Sequence, residues 1–487
     1  MKVPHAGLFF QTSFMRKHLL HFFALGLFTI SCAQQQKAAL PAAPSNSDET
    51  VAFPGAEGFG KFATGGRGGK VIVVTNLNDS GPGSFREAVK SKKPKIVVFA
   101  LSGTIHLDTP LEIEANTTVA GQTAPGDGIC VADAAVSLGG NNVIVRYMRF
   151  RMGDKNQRRE QVAGSGHDDA FGASRRSNII VDHCSLSWST DEVFSVYGGD
   201  STTLQWNLIS EPLNYSYHFE KGDTKFENHG YGAIWGGKNL TAHHNLFAHC
   251  VSRTPRFNGV RGYPSEFVDF RNNVIYNWQH NNVYGGEGGN YNIINNYYKA
   301  GPATNKSVQF RIVNPSKTET IPFGKYYVGG NYVEGSMEVT QNNVLGVQMG
   351  NGTEQDKKEA LLSAPIPFSP VTSQTATDAY YLVLQQVGAS HRRDTLDQRI
   401  INDVKNKTGR IIDVQGGFPH GTAYELTVNA WPALKSLPAP LDSDSDGMPD
   451  DWERKNGLNP NNNSDAAIVK LHRYYTNIEV YINSLTR

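Results

Sequence analysis

A short β-prone run that closes on a polar residue, most often asparagine, recurs through the middle of this chain and limits its possible folds more than any other feature. It occupies residues 143–148, 179–184, 203–207, 240–245, 267–273, 293–296 and 327–331. Taken at their last residues (Met148, Cys184, Asn207, Asn245, Asn273, Asn296 and Asn331), the runs are spaced 36, 23, 38, 28, 23 and 35 apart. A 23-residue unit of short strands cannot bury its own apolar face. Stacking such units in register does bury it, and the longer spacings then become loops projecting from one side. The pattern predicts an all-β chain wound as a parallel β-helix. Asparagines repeated at the bends would form a hydrogen-bonded ladder that satisfies turn backbone inside the stack. A β-sandwich with similar strand spacing is the alternative, but its strands need no asparagine at a fixed place in every turn. Long loops, such as residues 208–239, are expected to wall a cleft on one face, where solenoids bind polymers.

Composition narrows the function classes. The 487 residues carry 46 Lys+Arg against 45 Asp+Glu, a formal net charge of +1, with 39% hydrophobic residues. Neither a disordered chain nor a polybasic nucleic-acid binder has that balance. Its 49 glycines and 10% aromatic residues, without a Gly-X-Y period, suit a turn-rich β protein. Any affinity for a polyanion must then be local, from arginines in a cleft.

Lys2, Arg16 and Lys17 precede an apolar run over residues 19–30, which ends at Ser31-Cys32. That run is too short to span a bilayer as a helix. The layout predicts an export signal over residues 1–32, of the type in which Cys32 becomes a lipidated N-terminus on an outer-membrane or cell-surface protein. An ordinary cleaved signal that happens to contain a cysteine is the alternative; either way the protein is exported. Residues 33–50, polar and rich in Ala, Pro and Ser, read as a tether. Cys130, Cys184 and Cys250 are too few for a disulfide framework and are expected to be buried as small apolar residues.

The solenoid is expected over residues 51–375. Helical spacing in residues 378–408 predicts a segment, 376–440, that packs on one end or side of it. Residues 441–487 form a separate module. There Asp442, Asp444, Asp446, Asp450 and Glu453 stand at positions 1, 3, 5, 9 and 12 of a twelve-residue calcium loop, with Gly447 at position 6 and the Met448 carbonyl as the position-7 ligand. A single loop, restricted by Pro449, points to a structural rather than a sensing calcium site. Residues 475–482 read as a short amphipathic helix closing the module.

Two acidic pieces flank one coil: His167-Asp168-Asp169 before it and Asp191-Glu192 after it. Stacked coils would bring these acids together, where they repel unless a hard cation such as Ca²⁺ lies between them; a solvated acidic surface is the other reading. Arg253 and Arg256 sit on a proline-stiffened bend, able to grip carboxylates or to join an ordinary salt-bridge network.

At this point the residues resemble the pectate lyases of polysaccharide lyase family 1, in particular exported bacterial forms with a C-terminal calcium-loop extension. The resemblance covers roughly residues 51–335. It is carried by Ala52-Phe53-Pro54-Gly55-Ala56-Glu57-Gly58-Phe59-Gly60, by residues 74–86 (VTNLNDSGPGSFR), by Val181-Asp182-His183-Cys184-Ser185-Leu186-Ser187 and by Arg253-Thr254-Pro255-Arg256. It implies a right-handed parallel β-helix that cleaves α-1,4-linked polygalacturonate by β-elimination, with acidic polysaccharide as its partner; apart from the resemblance, no nucleic-acid partner and a monomer are expected. By resemblance Asp169 and Asp191 are calcium ligands and Arg253 is the base that abstracts the C5 proton. A further family acid falls on Ser195, so Glu192 or substrate carboxylates are expected to compensate. The family's second arginine falls on Asn258, so substrate binding passes to Arg256 or Arg261, with Lys221 and Lys225 as candidates for a substrate-binding lysine. Two rival functions are a glycan-binding surface lipoprotein without turnover, and a hydrolase using Asp168 and Asp169 to activate water.

Overall fold

The computed structural model describes residues 50–157, 168–220 and 222–486. The export signal with Cys32, the tether up to residue 49, His167 and Lys221 lie outside them. Each repeated run forms a strand of four or five residues whose alternate side chains point inward. In Ile179–Asp182, for example, Ile179 and Val181 join Val143, Val145 and Leu204 in the core. This strand pairs in parallel with Val143–Arg146 on one side and Thr202–Gln205 on the other. Among the described residues the strands form three parallel sheets, of ten, nine and eight strands, and beyond the first pair of the ten-stranded sheet, Lys70–Val74 with Lys95–Phe99, each sheet takes every third strand of the sequence. The chain therefore visits all three walls once per coil, as a parallel β-helix must.

The corner between the ten- and nine-stranded sheets is where the repeat was legible. A left-handed residue turns the chain there: Trp206 (φ 57°), His244 (φ 56°), Asn272 (φ 54°) and Asn295 (φ 54°) each precede a ladder asparagine. The asparagine's side chain then satisfies its neighbour coil. Asn273 Oδ1 accepts from the Asn245 backbone N–H at 2.9 Å, and Asn273 Nδ2 donates to the Ala242 carbonyl at 3.0 Å and to Asn296 Oδ1 at 3.0 Å. The ladder runs through Asn207, Asn245, Asn273, Asn296 and Asn331, and one rung further than the repeat indicated, to Asn343. Asn343 was missed because a helix, Met337–Gln341, precedes it where the other rungs follow a β-strand, so the apolar alternation of the repeat is absent there. Asn273→Ala strands the Ala242 carbonyl and the Asn245 N–H in a fully buried site. We expect it to cost about 2–6 kcal/mol by urea unfolding, at about 1–3 kcal/mol for each of the two orphaned groups. A loss under about 1 kcal/mol would mean that water or a shifted coil replaces the rung.

The strands end at Tyr332–Val333, so the last part of the expected 51–375 solenoid is a cap of short helices, Met337–Gln341 and Glu354–Ala360, followed by an extended return. That return crosses the outer face of the ten-stranded sheet, where Asn292 and Ile366 exchange hydrogen bonds of 2.9 Å. The segment carrying Gly58-Phe59-Gly60 lies on the same face. A Cβ on Gly60 would stand 2.3 Å from the Ile179 carbonyl oxygen, so only glycine permits the approach.

Helices Ala376–Gln386 and Thr395–Asn406 lie along the side of the solenoid and not at its end. Their Val383, Leu384, Ile400 and Val404 pack with Leu208, Leu246, Val274 and Tyr276. Arg149 and Arg151, each 1% exposed, meet Asp394 and Asp397 under these helices. The C-terminal module covers the start of the ten-stranded sheet: Met448, Leu458, Ile478 and Ile482 pack on Ile96, Val98 and Ala120. Its closing helix is Asn477–Ser484, with a capping box formed by Thr476 and Glu479. Cys130, Cys184 and Cys250 are buried free thiols, as expected from their small number. Among the described residues no helix is long and apolar enough to cross a membrane.

Candidate active site and metal centres

The chain enters the eight-stranded sheet at the same point in successive coils, and the residues just before that entry form a column. The Ala170 N–H bonds the Glu192 carbonyl at 3.1 Å, Val193 N–H bonds the Tyr231 carbonyl at 3.1 Å, and Ala233 N–H bonds the Arg253 carbonyl at 2.7 Å. Asp169, Glu192 and Tyr231 therefore stack along the solenoid axis, and Arg253 follows Ser252, the residue that bridges Tyr231 in the next coil. Asp169, Asp191 and Glu192 each bring a carboxylate oxygen within 4.8 Å of the others. This is the juxtaposition expected from the two acidic pieces flanking one coil. Asp168 turns aside, its carboxylate accepting from Gln157 Nε2 at 2.6 Å.

Burial and the nearby Asp191 push the Asp169 carboxyl well above the usual carboxylate range, while Ser195 and Arg253 pull the other way. Ser195, in the position of the absent acid, thus contributes a hydrogen bond to Asp169; its hydroxyl also accepts from the Ile234 N–H at 3.1 Å. Asp191 goes down despite burial, because a hydrogen bond and charge from His229 outweigh it; the Asp191 Oδ1 to His229 Nε2 distance is 2.5 Å. Three carboxylates converging at a partly buried point form a hard oxygen donor set that suits Ca²⁺.

Arg253 sits in the left-handed region (φ 60°), an uncommon backbone state for a residue with a side chain, just before the cis Thr254–Pro255 bond. Its guanidinium lies 4.4 Å from the Tyr231 ring centroid and pairs through Nη1 with Glu192 Oε1. Glu192 therefore serves both the acid group and the arginine.

Three expected site residues are placed otherwise. Arg256 does not face the cleft freely: it is 8% exposed, and its Nη2 pairs with Glu287 Oε1 at 2.8 Å in the next coil. The physical reason is that a buried guanidinium needs a counter-charge, and Glu287 is the nearest one. Arg261 remains about half exposed, 3.7 Å from the same glutamate, and keeps its fork available. Lys225 is exposed on the loop, with no described contact to the acids. Asp450, assigned to the calcium loop, instead accepts from the Ser443 N–H at 2.8 Å and hydroxyl at 2.9 Å, closing the loop's own turn.

In the C-terminal module Asp442, Asp444 and Asp446 form one acid group and Asp446, Glu453 and Asp465 another. Asp465 lies twelve residues beyond the loop and takes the place expected of Asp450. Glu453 is fully buried, and neither of its oxygens has a hydrogen-bond partner among the described residues. Burial and the surrounding carboxylates push Glu453 up to about 8 and Asp446 up to about 7. A buried carboxylate without partners is costly unless a cation is bound, so the donor set fits Ca²⁺. Met448 sends its side chain into the core beneath the loop. Gly447 (φ 89°) meets two needs at once, since a Cβ there would stand 2.9 Å from Val71 Cγ1.

Sequence reasoning missed His218 and His229. Both belong to the loop expected only to form a wall, and neither sits in a repeat or a motif. A short hairpin pairs them: Tyr215 bridges Asn228 and Glu227 N–H bonds the His218 carbonyl at 3.2 Å. Their rings stack at 3.8 Å, and both group with Asp191.

A scan against protein-family models finds no match. Among curated proteins, the chain is 36% identical over 454 residues to "Probable pectate lyase C" of Aspergillus terreus, covering 89% of this chain and 94% of that protein. A protein of the same description from Emericella nidulans is 34% identical over 449 residues, covering 89% and 93%. "Probable pectate lyase 5" of Arabidopsis thaliana matches a shorter stretch, 31% identical over 172 residues, covering 31% of this chain and 41% of that protein. A solved structure described as "Pectate lyase bound to hexasaccharide" aligns with TM-score 0.47 and 14% identity over 72% of this chain and 99% of that chain. At that level the structural likeness adds nothing to what the sequence relatives establish.

Proposed function

Because the chain belongs to the pectate lyases, we propose that it cuts α-1,4-linked polygalacturonate by β-elimination, with Arg253 as the base and Asp169, Asp191 and Glu192 as the holders of Ca²⁺. The single observation that carries this reading is the convergence of those three acids beside Arg253 at the entry to the eight-stranded sheet. Bound there, Ca²⁺ would neutralise the uronate carboxylate and so acidify the hydrogen on C5.

The chain's own residues carry the rest. Arg253 takes the C5 proton; the C5–H electron pair becomes the C4=C5 bond as the C4–O bond breaks, and the departing oxygen gains a proton from solvent. No water is added, and the new chain end is a 4,5-unsaturated uronide. An arginine accepts a proton only from its neutral form, which is scarce in water. Glu192 holds the guanidinium in an ion pair, so Arg253 must be released from Glu192 before it acts. The Tyr231 ring against the guanidinium keeps its plane oriented during that release. Arg261 is the more accessible arginine for a neighbouring uronate.

Polygalacturonate mixed with the protein and calcium should gain the ultraviolet absorbance of the conjugated product, and excess chelator should stop it. Absorbance that fails to appear while reducing ends accumulate would instead point to hydrolysis.

We assign a second, structural Ca²⁺ to the C-terminal loop, held by Asp442, Asp444, Asp446, Glu453 and Asp465. Calcium at about 100 times its dissociation constant should stabilise the wild type by about 2.7 kcal/mol. Glu453→Gln should remove most of that gain, yet leave the chelated protein no less stable, because it removes a buried acid that burial already disfavours. Equal calcium stabilisation of both proteins would place the ion elsewhere. The protein is further proposed to be exported, with a lipid on Cys32, and to act as a monomer.

A further inference from the structure

We infer that His218, His229 and Asp191 form a third cation site, beside the acid group of Asp169, Asp191 and Glu192, for a borderline divalent ion of the Zn²⁺ kind. The proposal goes beyond the lyase reading and needs only the geometry of the hairpin.

That geometry is built in. The Glu227 N–H bonds the His218 carbonyl at 3.2 Å and the His229 N–H bonds the Asn214 carbonyl at 2.8 Å, so backbone pairing sets the two imidazoles face to face. The rings are stacked at 3.8 Å with 21° between their planes. Both residues are largely buried, His218 at 1% exposure and His229 at 7%. One donor atom from each, with one from Asp191, lies within 4.8 Å of the others.

A plain ion pair between His229 and Asp191, 2.5 Å apart, is the alternative, and Glu220 Oε1 lies 3.9 Å from His218 Nε2. Neither of those contacts brings both imidazoles to one point, whereas the shared 4.8 Å neighbourhood with Asp191 does. The donor types also select the ion. Calcium and magnesium take oxygen ligands, whereas two imidazole nitrogens and one carboxylate suit Zn²⁺, Co²⁺ or Ni²⁺. Three protein ligands with a position left open is the pattern of zinc sites that accept a further ligand. Asp191 belongs to this set and to the acid group beside Arg253, so an ion here would sit next to the uronate-binding region.

The test uses the full chain freed of metal and titrated with Co²⁺ alone, then with Co²⁺ in excess Ca²⁺. One equivalent should bind with the intense visible bands of a low-coordinate, nitrogen-ligated ion, and the bands should survive calcium. The double variant His218→Asn, His229→Gln should weaken binding by more than the roughly 10–100-fold that loss of an outer partner costs. Three results would overturn the site: no Co²⁺ binding, the pale spectrum of an all-oxygen ion, or binding unchanged in the double variant. Should that variant fail to fold, anomalous diffraction from wild-type crystals soaked in Zn²⁺ decides. A peak among the two imidazoles and Asp191 supports the assignment, and its absence there refutes it. Neither readout uses turnover, so failure here leaves the lyase reading intact, and loss of calcium-dependent elimination leaves this site intact.

Discussion

Arg253→Lys abolishes measurable elimination, lowering kcat by about 10²–10⁴-fold, the range in which a positioned base contributes. Lysine retains the positive charge and can still pair with Glu192, so folding and polymer binding should change little. What it lacks is the planar fork that Tyr231 and Glu192 hold in register. The check is initial-rate ultraviolet assays beside equilibrium binding to oligogalacturonide. A variant with near wild-type kcat would remove Arg253 from the chemistry. If the wild type binds the polymer without ever forming unsaturated product, the glycan-binding reading takes over.

Asp394→Asn is expected to be strongly destabilising, costing about 3–5 kcal/mol, because it removes one partner from a buried charge network. Asp394 Oδ2 stands 2.6 Å from Arg151 Nη1 and 3.0 Å from Arg149 Nε, and all three side chains are nearly inaccessible. Its Oδ1 also caps helix Thr395–Asn406, accepting from the Asp397 N–H at 3.0 Å. The asparagine keeps part of the cap and none of the charge, leaving two guanidinium groups with Asp397 alone. Burial pushes Asp394 up, but Arg151 and Arg149 prevail and hold it down at about 2. A depressed carboxyl stabilises the fold above its unfolded value of about 3.9 and loses that contribution as pH falls toward about 2. The gap between wild type and variant in urea unfolding should therefore be full at neutral pH and shrink below about pH 4. Asp397, raised by burial and by Asp394, runs in the opposite direction, and in the variant it keeps the burial and loses the push from Asp394. A gap that holds constant down to pH 2 would mean that packing, not charge, carries the difference.

The parts of the molecule that were legible in the sequence share one property: each repeats or follows a fixed local spacing. The ladder residues Asn207, Asn245, Asn273, Asn296 and Asn331 were readable because every coil needs the same hydrogen bonds at the same corner. Asp169 and Asp191 were readable because one coil separates them. The C-terminal loop was readable because a twelve-residue turn has few solutions. Arg256 was misplaced because its partner Glu287 lies in the following coil, 31 residues on, and nothing local says which face a two-residue strand presents. Asp465 was not read and Asp450 was counted among the ligands for a related reason. Whether a loop carboxylate turns to the ion or closes its own turn depends on what packs behind it, and here Asp465 arrives from outside the motif.

By itself, then, the amino-acid sequence determined the solenoid, its asparagine corner, the acids that one coil brings together, and the acidic C-terminal loop, because periodic or fixed backbone spacings leave traces along the chain. Only the tertiary structure decided that Glu192 pairs with Arg253, that Arg256 is buried against Glu287, and that a hairpin inside a long loop sets His218 and His229 beside Asp191. Those contacts depend on where aperiodic loops fold back across the stack, a matter of distance in space that spacing along the chain does not encode.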